Sequence, residues 1–225
     1  MKIAAVIFDL DGVLIDSEGV WDAARREVAF EHGGHWTEDA TYAMIGMSST
    51  EWSAYMHDHL GLQLPRERIS DAVVSRLQAL YEQRLPLMPH ARKAVITLSK
   101  RWPLGLASSA NRPIIELVLD LAGLSDCFAA TVSSEEVPRG KPAPDVYLEV
   151  ARRLGVESER SVAVEDSANG IRSAAAAGMA VIAVPNKEFP PTEDSLALTQ
   201  DVIESLSELT IARVRETARD AAPDS

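Results

Sequence analysis

The sequence predicts an α/β fold: a doubly wound parallel sheet with a small α-helical domain inserted after its first strand. Three observations predict it. Residues 3–8 form a continuous apolar run with no helical period, the pattern of a strand buried on both faces. From Ser17 to about Arg84 the apolar residues recur at helical spacing, with almost no strand signal. Beyond Leu85, short apolar runs alternate with helical stripes, as in parallel strands joined by right-handed crossovers.

The first run ends in Asp9-Leu10-Asp11-Gly12-Val13. Two carboxylates at alternate positions close a buried strand, where an unpaired charge is costly to desolvate. That end of a parallel strand is also where α/β sheets bind ligands. Asp9 and Asp11 are therefore placed for chemistry, with a cation as partner. A calcium loop would need its glycine at the sixth position and a glutamate at the twelfth; here Gly12 comes fourth and a strand precedes it. A plain acidic turn is the other reading of this stretch taken alone.

In the inserted segment, Trp21, Ala24, Val28 and Ala29 form one stripe, ended by Gly33-Gly34. Ser49 reads as the cap of a second helix carrying Trp52, Tyr55, Met56 and Leu60, with Gly61 as its stop. Ile69, Val73, Leu77 and Leu80 make a third stripe, closed by Pro86. The division is a core domain of residues 1–16 and 85–225 and a helical domain of residues 17–84. In the core, strands are expected at 104–107, 128–132, 161–164 and, last, 179–184. Helices are expected at 113–121, 143–154 and 168–177, then one or two surface helices over about 196–218 and a frayed tail from 220. The alternation is Rossmann-like.

Composition bounds the function. An apolar fraction of 46% and a charged fraction of 25% over 225 residues suit a globular protein. No apolar stretch is long enough to cross a bilayer, and the opening residues do not read as a signal peptide. The single Cys127 cannot form an internal disulfide; it fits a cytoplasmic location and reads as a small buried hydrophobe. A net charge of −12 argues against nucleic-acid or anionic-membrane partners. A phosphorylated substrate would need its own local positive charge. A monomer or weak homodimer is expected.

Four chain segments bring polar groups to one sheet edge: Asp9 and Asp11, Ser108 and Ser109, the loop with Lys141, and Glu165 with Asp166. Each has a plain reading alone, as helix caps or solvated turn residues. Together, four carboxylates, two hydroxyls and an ammonium suit Mg²⁺ plus a phosphate.

These segments carry a resemblance. Asp9-Leu10-Asp11-Gly12-Val13, Asp16-Ser17-Glu18, Leu104-Gly105-Leu106-Ala107-Ser108, Gly140-Lys141-Pro142-Ala143-Pro144-Asp145 and Val164-Glu165-Asp166-Ser167-Ala168-Asn169-Gly170 resemble the haloacid dehalogenase-like hydrolase superfamily. The chain is most similar to its β-phosphoglucomutase-like and sugar-phosphatase branch. The resemblance implies Asp9 as nucleophile, forming an aspartyl-phosphate, and Asp11 as general acid and then general base. It implies Mg²⁺ held by the Asp9 side chain, the Asp11 backbone carbonyl and Asp166, with Glu165 acting directly or through water. Ser108, the Ser109 amide and Lys141 would hold the phosphate. The helical domain becomes a cap. Gly46, in the loop of residues 45–49, would read the leaving group, and Trp21 and Arg25, four apart on one helix face, could join it. Asn111, just past the phosphate loop, either touches substrate or starts a helix, as does Arg112.

Two departures bear on the reaction. Related mutases carry histidine where this chain has Trp21 and arginine where it has Ser49, the second to grip a second phosphate. Residues 17–84 also hold 6 Lys and Arg against 11 Asp and Glu. A phosphatase acting on a small phosphorylated metabolite, a sugar or polyol phosphate, is the expectation. A phosphosugar mutase is the alternative. Dehalogenation would not need Asp11 or the magnesium pair, and a non-catalytic protein on this fold would be expected to have lost a motif residue. His90, where relatives often have glycine, reads as a surface residue at a helix start; His57 and His59, two apart, make a poor metal pair.

Overall fold

The computed structural model describes residues 2–44, 47–186 and 190–220. Strand β1 (Ala5–Phe8) is fully buried. Val6 and Phe8 pack into one apolar cluster and Ile7 into the other, so the uninterrupted run serves two layers at once. Among the described residues five helices precede the next strand, the first four being α1 (Glu18–Glu31), α2 (Glu38–Met44), α3 (Ser49–His59) and α4 (Arg66–Gln83). Then come α5 (Ala91–Ser99), β2 (Leu104–Ser108), α6 (Arg112–Ala122), β3 (Phe128–Ser133), α7 (Asp145–Leu154), β4 (Ser161–Glu165), α8 (Ala168–Ala176), β5 (Ala180–Ala183), α9 (Glu193–Leu196), β6 (Asp201–Val202) and α10 (Ile211–Asp220).

All neighbouring strands pair in parallel, in the order β3-β2-β1-β4-β5-β6. The order reverses direction at β1, which places its carboxyl end between those of β2 and β4, the crevice position of such sheets. Val146, Tyr147 and Val150 of α7 and Ile171 and Ala174 of α8 cover one face. Val95 and Leu98 of α5, Ile115 and Val118 of α6, and Val214 of α10 cover the other, in an apolar cluster continuous with the inserted helices.

Several expectations need correction. Residues 179–184 are not the last strand: β6 adds two residues at the edge, Ile182 opposite Asp201, too short to leave a sequence pattern. Of the one or two surface helices expected over about 196–218, α10 is present, with Val214 and Ala218 buried, while Leu196 ends the short α9 and β6 and a loop fill the span between. Helix α2 buries only Ala40 and Met44 and so has no stripe to read. Ser48, not Ser49, caps α3: its side chain accepts the Glu51 backbone N–H, and the Glu51 carboxylate reaches back to the Ser48 N–H at 2.7 Å. Tyr81 rather than Leu80 completes the buried stripe of α4. Cys127 is half-buried, not fully buried. His90 is exposed and precedes α5 with a φ of 67°, a left-handed conformation that glycine adopts at no steric cost. Among the described residues no helix is long and apolar enough to cross a membrane.

Candidate active site

The sheet's carboxyl edge gathers the polar residues. Asp9 follows β1, Ser108 ends β2, Glu165 ends β4 and Asp166 follows it, while Lys141 enters on the β3–α7 loop. Lys141 Nζ lies 2.8 Å from Asp9 Oδ1 and 2.6 Å from Glu165 Oε1, with all three side chains buried. One ligand oxygen from each of Asp9, Glu165 and Asp166 can be chosen so that the three lie within 4.8 Å of one another.

Their chemistry differs. Glu165 is fully buried, and both its oxygens are taken. Oε1 accepts from Lys141 Nζ and from the Tyr147 hydroxyl at 2.7 Å. Oε2 accepts from the Asp166 N–H at 3.1 Å and from the Ser167 N–H and hydroxyl, each at 3.3 Å. Direct ligation by Glu165 would compete with these five donors. It is a holder of Lys141 and of the turn into α8. A Cβ on Gly170 would sit 1.9 Å from Glu165 Oε1, so glycine is what lets α8 approach this carboxylate. Gly12 does the same for Asp166: it has a φ of 77°, and a Cβ there would fall 1.8 Å from Asp166 Oδ2.

Three carboxylates face one ammonium. Burial first, then Glu165, pushes the Asp9 carboxyl up to about 8 against the pull of Lys141. Burial, Glu165 and Asp9 hold Asp166 well above the usual carboxylate range. Burial works to lower Lys141, but Asp9 and Glu165 outweigh it and hold the ammonium above its ordinary value. The cluster lacks positive charge, which is the condition a bound divalent cation relieves. Asp9 and Asp166 offer hard oxygen donors for Mg²⁺, so the residues fit the ion.

Asp11 stands slightly apart. Trp21 Nε1 donates to its Oδ1 at 3.1 Å, fixing the carboxylate across the gap between core and insertion. Asp11, Glu18, Trp21, Arg25, Trp52 and Ser109 line a chamber of about 60 Å³. Ser108 is buried and its Oγ accepts the Ala110 N–H at 3.0 Å, shaping the turn while leaving its hydroxyl proton to give. Asn111 caps α6 in backbone geometry only; its Nδ2 donates to Glu135 at 2.7 Å and its buried Oδ1 has no partner among the described residues. Arg112 is spent on Thr131 and Glu136, away from the chamber. Gly46 lies outside the described residues. His57 pairs with Asp58 at 2.7 Å and His59 stacks on Tyr55, so neither joins the site.

Sequence reasoning missed Tyr147 and Glu135, and it quoted Gly170 within the last motif without giving it a role. Tyr147 sits just beyond the Gly140 to Asp145 motif, and its partner, Glu165, is the signal that could have found it. Glu135 shows no such signal. Its carboxylate accepts from Ser49 Oγ of the insertion and from Asn111 of the core. These residues border a second cavity of about 560 Å³, lined also by Ser53, Arg66 and Asp71.

The sequence pattern of the haloacid dehalogenase-like hydrolases matches residues 3–178. The chain belongs to that family. This hydrolase is 34% identical over 226 residues to hexitol phosphatase B of Escherichia coli, covering 93% of this chain and 95% of that one. It is 33% identical over 193 residues to a fructose-1-phosphate phosphatase of Escherichia coli, covering 81% and 97%. The solved structure of CbbY from Rhodobacter sphaeroides in complex with phosphate superposes with a TM-score of 0.86 at 26% identity, covering 95% of this chain and all of that one. The hydrolase is a phosphatase, a phosphoric monoester hydrolase, whose relatives act on phosphorylated carbohydrates.

Proposed function

We propose that this hydrolase is a Mg²⁺-dependent phosphatase of a sugar or polyol phosphate that works through an aspartyl-phosphate. The observation that carries it is the clustering of Asp9, Lys141, Glu165 and Asp166 at the β1 end, with Asp11 turned toward the insertion. Asp9 has one oxygen on Lys141 and the other for attack on phosphorus. Lys141 Nζ, the Ser108 hydroxyl and the Ser109 N–H receive the phosphoryl oxygens. Asp11, oriented by Trp21, gives a proton to the departing alcohol oxygen and then takes one from the water that cleaves the acyl-phosphate, a role typically worth ~10²–10⁴-fold. Bound Mg²⁺, held by Asp9, Asp166 and the Asp11 backbone, would screen the repulsion between carboxylate and phosphate. Glu165 keeps Lys141 aimed between Asp9 and the phosphate. Residues 17–84 act as a cap that excludes water from the reacting centre.

The insertion favours transfer to water over transfer to a second sugar position. Ser49 is bonded to Glu135, and Glu135, Glu67 and Asp71 line the neighbouring cavity against one cation, Arg66. A second phosphate there would meet carboxylates. A screen of sugar and polyol phosphates with Mg²⁺, reading released phosphate, tests the proposal. Phosphate release is expected without any bisphosphate primer, abolished by Asp9→Asn and by chelation. Isomer formation without phosphate release would overturn it in favour of a mutase.

A further inference from the structure

Arg25 has no task in the chemistry above, yet its placement is costly. The side chain is buried in α1, and among the described residues it has no ion-pair or hydrogen-bond partner; its Nε is fully enclosed and unsatisfied. Its guanidinium carbon lies 5.0 Å from the Trp21 ring centroid and 5.4 Å from that of Trp52. Contact with indole rings engages the guanidinium's π face, whereas all five N–H donors point along its edge and need acceptors. Arg25 lines the chamber that also holds Asp11, Glu18 and Ser109. Burial pushes the guanidinium down to about 10, with Glu18 and Asp11 the leading charges that oppose this. Neither is within ion-pair distance of it. The Glu18 side chain has no partner among the described residues either, and burial and then Asp11 raise its carboxyl.

We infer that Arg25 and Glu18 are the specificity pair of the chamber, Arg25 donating to and Glu18 accepting from hydroxyl groups of an uncharged polyol leaving group. The inference rests on the phosphatase reading. A hydroxyl both accepts and donates, so a polyol satisfies both side chains at once. A carboxylated leaving group would satisfy Arg25 alone and face Glu18 and Asp11. An apolar one would leave the buried Arg25 and the half-buried Glu18 unpaired, the situation that gives enzymes their strongest discrimination. The chamber of about 60 Å³ has room for roughly two water-sized groups, so the hydroxyls read are those nearest the ester.

The test compares sorbitol 6-phosphate, p-nitrophenyl phosphate and phosphoglycolate with Mg²⁺, for wild type, Arg25→Lys, Arg25→Met and Glu18→Gln. Arg76→Ala, which removes exposed ion pairs with Glu27 and Glu31, serves as the control. Arg25→Met should lower kcat/KM on the hexitol phosphate about 100-fold, chiefly through KM, and on the aryl phosphate at least about tenfold less; Arg25→Lys and Glu18→Gln should lose about tenfold on the hexitol phosphate. Binding of sorbitol 6-phosphate to Asp9→Asn, by calorimetry, should weaken by a similar factor when Arg25→Met is added. Equal losses on hexitol and aryl phosphates would overturn the inference, making Arg25 a packing element of α1. So would phosphoglycolate as the preferred substrate, which would make Arg25 a carboxylate reader. Wild type inactive on every sugar and polyol phosphate would instead sink the phosphatase reading, and this inference with it.

Discussion

Two buried cations, Lys141 in the core and Arg25 in the helices that follow β1, divide the molecule. Lys141 in the core is clamped between Asp9 and Glu165, and those carboxylates hold its charge in place. Arg25 in the insertion touches two indoles and, among the described residues, no carboxylate, and burial depresses its pKa to about 10. The first cation is part of a network complete enough to be built before substrate arrives. The second is left for substrate to complete. The proposed function assigns rigid chemistry to the sheet edge and selectivity to the helices, a division suited to a reaction whose catalysis is mostly positioning and charge stabilisation.

Stability should break or sharpen this contrast most. Lys141→Met leaves the buried Glu165 carboxylate without its cation and removes a donor from Asp9, and should cost ~3–5 kcal/mol in urea unfolding, while Arg25→Met, removing a cation with no partner among the described residues, should stay within about 1 kcal/mol of wild type or gain. Equal losses would erase the distinction. The pH dependence comes next. Between its ordinary 3.8 and about 8, the folded Asp9 keeps a proton that the unfolded chain releases. Its contribution to stability is present in acid and lost as pH rises through that window. The melting temperature without divalent cation should therefore fall more steeply with pH for wild type than for Asp9→Asn, and Mg²⁺ should flatten the slope; parallel curves would show that the cluster is not short of positive charge. The smallest effect is at the seam between the two regions. Trp21→Phe keeps an aromatic face beside Arg25 but deletes the donor to Asp11, and should lower kcat about tenfold with little change in KM for the hexitol phosphate. An unchanged kcat would show that Asp11 needs no orientation from the insertion.

The parts of this protein that could be read early are those with a local cause. A strand buried on both faces must be apolar throughout, so β1 announces itself, and an acid at its end has to have a reason. The Glu165-Asp166 pair was legible because it sits at a strand end of an alternating pattern, and the Gly140-Lys141-Pro142 turn because it lies in the loop between such a strand and the next helix. The pair β6 was not, since two residues carry no period. Neither was the choice of Ser48 over Ser49 as cap: both hydroxyls can cap, and Glu51 three residues on from Ser48 decides between them.

By itself, then, the chain's pattern of apolar runs, helical stripes and strand-end acids determined the parallel sheet, the run of helices after its first strand and the polar residues that meet at one sheet edge. Tertiary structure alone decided how the roles divide among them. Glu165 is saturated by Lys141, Tyr147 and the start of α8, Trp21 is bound to Asp11 rather than merely buried, and Arg25 is enclosed without a counter-ion among the described residues. The reason is physical: burial and pairing depend on which distant side chains fold into the same few ångströms, and a carboxylate reads the same in sequence whether it is free or already satisfied.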